Sequence, residues 1–337
     1  MSKQHLSAGS ICAPRARNRD TPAMFSALLS AMLATARGGG DKPYGLGLWQ
    51  TADQVIIPDK VGNINFNRLC HKHQCIAGTP WRIQAGNLIS QRANDPSLTD
   101  IYEWGVFTGG SLMMLRYAWA HFGLNRTLNK VWAFDSFVGL QPGAKTAGDV
   151  DEWYDGAFSS SKFFATRTQS EVLDKLRRVI TGKKTLENAR RDWFGSKLSF
   201  IPGFFNESLH PGLARERQMR PALYVDVDVD QYLPTVQLLD WMFAENLIRP
   251  GTFIGYDDIG STDKWTAGES KAQLEIARKY NVRFELAYQL CRKVSSNHPN
   301  RQGGDDSLCP ALAGCRRWYF AIFRVVAVHD ARGPAVC

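Results

Sequence analysis

The sequence predicts an α/β fold: a Rossmann-like, doubly wound sheet that is mostly parallel and has an antiparallel final strand. Two observations predict it. Short apolar strands alternate with helical segments between Asp100 and Tyr280, which is the pattern of a parallel sheet covered on both faces. The last two strand-like segments, Arg283–Leu290 and Trp318–Val328, are joined by the Gly/Asp/Ser-rich stretch 292–316 and by no helical pattern. Strands connected in this way most simply form an antiparallel pair at the sheet edge.

Length and composition fit one large domain with extensions. The chain has 337 residues and 44% hydrophobic content, enough to bury a full core. Residues 1–60, broken by glycines and prolines, are predicted as a flexible basic extension, and residues 61–330 as the main domain. Within that domain, residues 141–197 form a long polar and aromatic insertion, and residues 292–316 are predicted as a loop.

The predicted elements follow in chain order. A helical pattern over Asn67–Asn94 precedes the first strand, Asp100–Val106, and a glycine turn then leads into a helix that begins at Ser111. The second strand is Lys130–Asp135. The later predicted elements are the helices Ser170–Ile180, Leu233–Glu245 and Ala267–Tyr280 and the strands Leu198–Pro202, Ala222–Asp230 and Thr252–Asp257.

The first candidate site is the turn Glu103–Ser111 (EWGVFTGGS). Its glycines allow a ligand to approach the backbone between a strand end and a helix N-terminus, where free N–H groups point outward. The spacing is G-x-x-x-G-G instead of G-x-G-x-x-G, which disfavours an NAD-dependent dehydrogenase and suits an aminoacyl group at least as well. A tight turn without a ligand is the alternative.

The second candidate is Asp135, which ends the second predicted strand. A carboxylate at this position faces the ligand crevice of α/β folds and can accept both ribose hydroxyls. The alternative is an ordinary helix N-cap. Together with the glycine turn, Asp135 favours adenosine binding.

The third candidate site is acidic. Asp226, Asp228 and Asp230 alternate with valines and are predicted to project from one face of a strand, and Asp257-Asp258 ends the next strand. Clustered carboxylates repel each other unless a cation compensates them, and ligands that are all oxygens favour Mg²⁺ over zinc. Such an ion would lower the pKa of a substrate hydroxyl bound to it, and one Asp would take the hydroxyl proton. Solvated loop carboxylates are the alternative.

Composition argues against other classes of function. The net charge is +9, but there is no run of five basic residues and no RNA-reading aromatic motif, so no nucleic-acid partner is predicted. No apolar run approaches the roughly 20 residues of a membrane span. Seven cysteines without a C-x-x-C pair predict free thiols and a cytoplasmic location.

Five motifs in order resemble the macrocin O-methyltransferase (TylF/MycF-like) family of class I S-adenosylmethionine-dependent methyltransferases. They are EWGVFTGGS from Glu103, FDSFVGL from Phe134, GFFNESL from Gly203, DVDQYLPT from Asp228 and PGTFIGYDDIG from Pro250. The resemblance implies Mg²⁺-assisted O-methylation, with Asp228, Asp257 and Asp258 as metal ligands and Asp228 also as general base. It implies a cofactor site made of Glu103, Gly105, Val106, Phe107, Gly109, Ser111, Asp135, Ser136 and Phe137.

The resemblance leaves the acceptor open. The family methylates sugar hydroxyls of natural products, so a glycoside or other natural-product hydroxyl is expected, and the family also suggests a homodimer. Gln231, Thr252 and Ile259 depart from the family pattern, and these departures concern the acceptor and not cofactor or metal binding. The insertion 141–197 occupies the lid position of the resemblance. The strand register also leaves open Asp226 or Asp230 in place of Asp228. Methylation of a catechol or other small phenol, and a non-catalytic cofactor-binding partner protein, are the alternatives.

Overall fold

A seven-stranded sheet organises the chain. The computed structural model describes residues 60–61, 64–65, 79–260, 265–292 and 317–336. The strands are β1 Lys60–Val61, β2 Ile64–Asn65, β3 Asp100–Trp104, β4 Val131–Asp135, β5 Leu198–Pro202, β6 Ala222–Val227, β7 Phe253–Tyr256, β8 Arg283–Arg292 and β9 Arg317–Ala327. The helices are α1 Thr79–Arg92, α2 Gly110–His121, α3 Ser160–Phe163, α4 Gln169–Thr181, α5 Leu186–Arg191, α6 Phe205–Ser208, α7 Leu213–Glu216, α8 Tyr232–Ala244 and α9 Gly268–Tyr280.

The strand order of the large sheet is β5-β4-β3-β6-β7-β9-β8. The first five of these strands are mutually parallel, whereas β9 runs antiparallel to both β7 and β8. The predicted fold class and its antiparallel final strand are therefore confirmed. The order reverses between β3 and β6, so their carboxyl ends flank the crevice in which such folds bind ligands.

Each face of the sheet is covered by a hydrophobic layer. On one face Trp104, stacked on Phe134 with ring centroids 3.9 Å apart, packs with residues of α8 and α9. On the other, residues of α1, α2 and α4 pack around Ile101 and Tyr224. Because neighbouring side chains of a strand point to opposite faces, Glu103 lies on the second face, beneath α1. It is a carboxylate in an apolar layer.

The acidic strand is shorter than predicted. β6 ends at Val227, not at Asp230, so only Asp226 of its three aspartates is a strand residue. The Asp228 N–H still donates to the Trp104 carbonyl at 2.9 Å, but Asp230 has a φ of 64° and the Gln231 N–H turns back to the Val229 carbonyl at 2.6 Å. The prediction that all three aspartates share one strand face was wrong, because the chain leaves the sheet after Asp228.

The predicted lid insertion contains three helices, of which the sequence indicated α4. A capping box between Thr168 and Glu171 begins α4, and Gly182, with a φ of 69°, ends it. The insertion is tied to α2 by a bidentate ion pair of Arg116 with Asp192, at 3.1 and 2.8 Å. Its role as a lid stays a prediction.

Two predictions fall largely on residues that the structure does not describe. The basic extension 1–60 lies outside the described residues except for Lys60, and so do residues 293–316 of the predicted loop. The predicted helix Asn67–Asn94 corresponds to α1 over its described part. Within the described residues, no helix combines the length and apolar character that a transmembrane span requires.

Candidate active site

The glycine turn between β3 and α2 is built by close backbone contacts. Gly105 has a φ of +86°, and a Cβ at this position would lie 1.8 Å from the Asp228 carbonyl oxygen. Gly109 precedes α2 with a φ of +80°, and its Cβ would lie 2.8 Å from Ile180 Cγ1. Glycine is required at both positions by backbone angle and by space. The contact at Gly105 also brings the glycine turn against the acidic segment.

Phe107 is the strained residue of this turn. Its φ is 42°, a left-handed conformation that an aromatic side chain rarely adopts. Its ring packs edge-on against Phe158 and Phe163 of the insertion, and its carbonyl accepts a 2.8 Å hydrogen bond from the Ser160 hydroxyl. The insertion therefore holds the glycine turn in place.

Asp135 is engaged with the backbone of two turns. One carboxylate oxygen accepts the N–H groups of Val106 and Phe107 at 2.7 and 3.0 Å, and the other accepts the Phe137 N–H at 2.6 Å. Burial raises the pKa of Asp135, while these N–H groups act to lower it. The neighbouring Ser136 hydroxyl donates to the Gly139 carbonyl at 2.7 Å. Asp135 thus shapes the turns, and the contact with ribose hydroxyls stays a prediction.

Glu103 is fully buried, and neither of its oxygens has a hydrogen-bond partner among the described residues. Burial raises the pKa of Glu103, and Asp226, its register partner on β6, raises it further; Arg82 and the nearby Ser111 hydroxyl lower it. The Ser111 hydroxyl itself lies 3.5 Å from an Asp228 oxygen. Glu103 is therefore a carboxyl group with unused hydrogen-bonding capacity at the cofactor turn.

Three of the predicted acidic residues come together. Asp228, Asp257 and Asp258 each offer a carboxylate oxygen, and these oxygens lie within 4.8 Å of one another. The parallel pairing of β6 and β7 places them side by side, because both strands end at this edge. Burial raises the pKa of Asp228, and Asp257 raises it further. The arrangement is suited to a divalent cation.

An arginine that the sequence did not single out enters this cluster. Arg82 of α1 is 4% exposed and its guanidinium contacts three aspartates. It binds Asp226 at 3.0 and 3.1 Å, Asp228 at 2.8 Å and Asp257 at 3.4 Å. The neighbouring Trp81 indole donates to the same Asp257 oxygen at 2.8 Å. Burial acts to lower the pKa of Arg82, but the surrounding carboxylates outweigh it and hold it above the ordinary value.

A second buried carboxylate supports the other side of the cluster. Glu269, at the start of α9, is fully buried and accepts the Asp258 N–H at 3.1 Å. Burial raises the pKa of Glu269, and the nearby aspartates, Asp258 first, raise it further. Burial likewise raises the pKa of Asp230, which lies against Asp258. Glu269 fixes the backbone of a predicted metal ligand.

The chain matches the family model described as Macrocin-O-methyltransferase (TylF) over residues 84–268. It belongs to this family. The TylF family assignment makes the protein an S-adenosylmethionine-dependent O-methyltransferase of class I architecture. Both candidate turns and the metal-ligand cluster lie inside the matched span. Arg82 precedes it and Glu269 follows it.

Solved structures are similar at a lower level. CalS11, a calicheamicin methyltransferase, is 14% identical, with 95% of this chain and 99% of that chain covered at a TM-score of 0.46. The O-methyltransferase NovP is 18% identical, with 76% and 90% covered at a TM-score of 0.40. An O-methyltransferase from Bacillus cereus in complex with SAH is 14% identical, with 83% and 97% covered at 0.39. A search of curated protein sequences gave no match.

Sequence reasoning missed Trp81, Arg82, Ser160 and Glu269. Arg82 lies 144 residues from Asp226 along the chain, and no local pattern links the two. One general signal was available: a cluster of carboxylates beneath a helix requires cations, and Arg82 is a basic residue next to a tryptophan in the helix that precedes the sheet. Ser160 and Glu269 carry no comparable signal.

Proposed function

We propose that this TylF-family enzyme methylates a hydroxyl of a sugar moiety or related natural product, with Mg²⁺ held by Asp228, Asp257 and Asp258. The observation that carries the metal is the convergence of these three carboxylates within 4.8 Å. Their ligand atoms are all oxygens, which suits Mg²⁺, and this ion usually keeps several sites for water or substrate. When bound, it would act as a Lewis acid that lowers the pKa of an acceptor hydroxyl.

The second carboxylate oxygens support this assignment. Arg82 and Ser111 use one oxygen of Asp228, and Arg82 and Trp81 use one oxygen of Asp257. The other oxygen of each accepts no hydrogen bond from the described residues. A cation can therefore bind without displacing the contacts that hold the carboxylates.

For S-adenosylmethionine we propose the turn beside this cluster. The cofactor supplies an electrophilic methyl group on a sulfonium centre. The chain would hold it through Glu103, Gly105, Val106, Phe107, Gly109, Ser111, Asp135, Ser136 and Phe137. Glu103 is suited to a cationic group because it is buried and most of its hydrogen-bonding capacity is unused. The backbone contact between Gly105 and Asp228 supports transfer between adjacent sites, because proximity supplies much of the acceleration in such reactions.

Asp228 is the proposed general base. Its carboxylate contacts both Ser111 at the start of α2 and Arg82 of the acidic cluster. Its side chain is 27% exposed, whereas that of Asp226 is fully buried and already bound twice by Arg82. An incoming hydroxyl can therefore reach Asp228 and not Asp226. This supports Asp228 over Asp226, an alternative that the strand register in the sequence left open.

The acceptor proposal rests on the family, and the experiment is a screen. Glycosides, catechol and simple phenols would be incubated with methyl-labelled S-adenosylmethionine, with Mg²⁺ and with EDTA. We expect label transfer to a glycoside hydroxyl that EDTA abolishes and Mg²⁺ restores. Transfer to catechol alone would overturn the sugar assignment, and EDTA-resistant transfer would overturn the metal. Light scattering of the full chain tests the proposed homodimer.

A further inference from the structure

Arg82 is the one cation among the described residues that contacts the proposed metal ligands. The guanidinium is a planar fork, and here each of its three nitrogens contacts a carboxylate oxygen. The bidentate contact with Asp226 fixes the plane of the fork. The remaining N–H directions then reach Asp228 and Asp257.

Two opposite effects of Arg82 on a metal ion can be separated. A positive charge next to a divalent cation repels it, which weakens binding. Fixed orientation of the ligands strengthens binding, and partners that orient metal ligands commonly contribute tenfold or more to affinity. Charge repulsion predicts tighter metal binding when Arg82 is removed, whereas lost orientation predicts weaker binding.

The contacts favour orientation. Arg82 takes one oxygen of Asp228 and one of Asp257, and the Trp81 indole takes that same Asp257 oxygen. The second oxygen of each carboxylate accepts no hydrogen bond from the described residues and stays available to an ion. A side chain that competed with the metal would instead occupy both oxygens of a ligand, as Arg82 does at Asp226.

We propose that Arg82 is a positioning residue that sets Asp228 and Asp257 in the orientation in which, with Asp258, they bind a divalent cation. This inference rests on the proposed Mg²⁺ site. The metal site would then include a residue of α1, a helix that carries none of the proposed metal ligands. The metal ligands of the free protein are then already arranged before an ion binds.

The test measures Mg²⁺ and S-adenosylhomocysteine separately on the full chain. Calorimetric titrations would compare the wild type with Arg82→Met and Arg82→Lys, and with Arg92→Met as the matched control. Arg92 is on the same helix, but its side chain is 44% exposed and pairs with Glu285. We expect both Arg82 variants to bind Mg²⁺ about 10- to 100-fold more weakly. S-adenosylhomocysteine affinity should change little, and Arg92→Met should match the wild type.

The outcomes are distinct. Unchanged or tighter Mg²⁺ binding by Arg82→Met would overturn the inference, and wild-type binding by Arg82→Lys would show that charge suffices without the fork. If the wild type itself bound no Mg²⁺, the proposed metal site would fail first.

If Arg82→Met does not fold, Asp226→Asn serves in its place. It alters the carboxylate that fixes the fork and leaves the three proposed ligands intact. We expect weaker Mg²⁺ binding with S-adenosylhomocysteine binding retained, and an unchanged Mg²⁺ affinity would contradict the inference.

Discussion

The two halves of the site are held together by different forces. At the ends of β3 and β4, the glycine turn is fixed by backbone groups: Asp135 accepts three N–H groups, and the Ser160 hydroxyl donates to the Phe107 carbonyl. At the ends of β6 and β7, the acidic half is fixed by side chains, chiefly Arg82 and Trp81. The glycine-turn half is held by hydrogen bonds to the backbone and by close backbone contacts, whereas the acidic half is held by ion pairs.

Because of this difference, we expect the two halves to respond differently to substitutions. A substitution in the glycine turn strains the backbone or removes a hydrogen bond to it. We therefore expect it to lower both the free energy of unfolding and the affinity for the cofactor. In the acidic half, replacing a proposed metal ligand by its amide relieves repulsion between carboxylates, so it should lower turnover or metal binding more than stability. The predictions for Asp228, Gly105 and Ser160 each test one of these two expectations.

The largest expected effect is on turnover by Asp228→Asn. The change removes both a metal ligand and the proposed base while keeping the side-chain volume. We expect kcat to fall roughly 1000-fold, in the range of losing a general base, with S-adenosylmethionine affinity nearly retained. Steady-state kinetics with a glycoside acceptor measure it, and Asp151→Asn, at an exposed position of the insertion, is the control. A loss of less than fivefold would exclude Asp228 as base.

Next in size is the effect of Gly105→Ala on stability. Its Cβ would lie 1.8 Å from the Asp228 carbonyl, so the two backbones must separate. We expect the free energy of unfolding to fall by at least about 3 kcal/mol, together with loss of cofactor binding. Gly123→Ala is the matched control, because Gly123 has a φ of +75° but a Cβ added there would meet no atom within 4 Å. It should cost only about 1 kcal/mol. Equal losses for both variants in urea unfolding would disprove the steric argument.

The sequence predicts the glycine-turn half better than the acidic half, because the contacts of the glycine-turn half join residues that are closer along the chain. The glycines, the helix that follows them and Asp135 lie within one strand–helix–strand unit, from Asp100 to Asp135, whose geometry follows largely from local backbone preferences. The end of β6 was misjudged because alternation of Asp and Val continues past the point where the chain turns at Asp230. Pattern alone does not show where strand pairing stops.

The pairing of Arg82 with the acidic cluster was not predictable from sequence for the same reason. It joins α1 to β6 across 144 residues, and only the packing of α1 against the sheet brings them together. The same holds for Ser160, whose contact with the Phe107 carbonyl depends on how the insertion folds back. Motifs indicated which residues bind ligands, but not the side chains that orient them.

A smaller effect is expected at the ion pair that ties the insertion to α2. Burial acts to raise the pKa of Asp192, but the Arg116 contacts outweigh it and hold the pKa below its ordinary value. Arg116→Met should therefore lower the free energy of unfolding at pH 7 by about 1–3 kcal/mol. A depressed carboxyl pKa stabilises the fold above the unfolded-state pKa, near 4, and this stabilisation disappears as the pH falls through the lower folded-state value.

The difference between the wild type and Arg116→Met should thus be full at pH 7, begin to shrink below about pH 4 and vanish only below the folded-state pKa of Asp192. Urea unfolding at pH 7, 5 and 3.5 measures the difference. The exposed pair of Arg191 with Glu187 provides the control, since Arg191→Met should change stability by less than about 1 kcal/mol at any of these values. A difference that persists unchanged at pH 3.5 would mean that Arg116 acts by packing on Trp193 and not through its charge.

The smallest expected effect is that of Ser160→Ala, which tests the glycine-turn half alone. Ser160→Ala removes the donor to the Phe107 carbonyl without disturbing any charge, and should cost about 1 kcal/mol of stability. Because Phe107 is held at a φ of 42°, loss of this bond should also relax the turn and raise the KM for S-adenosylmethionine severalfold, with kcat nearly unchanged. Ser170→Ala, at an exposed position of α4, is the control. A fall in kcat at unchanged KM would instead connect the insertion to the acidic half, and the contrast between the two halves would not hold.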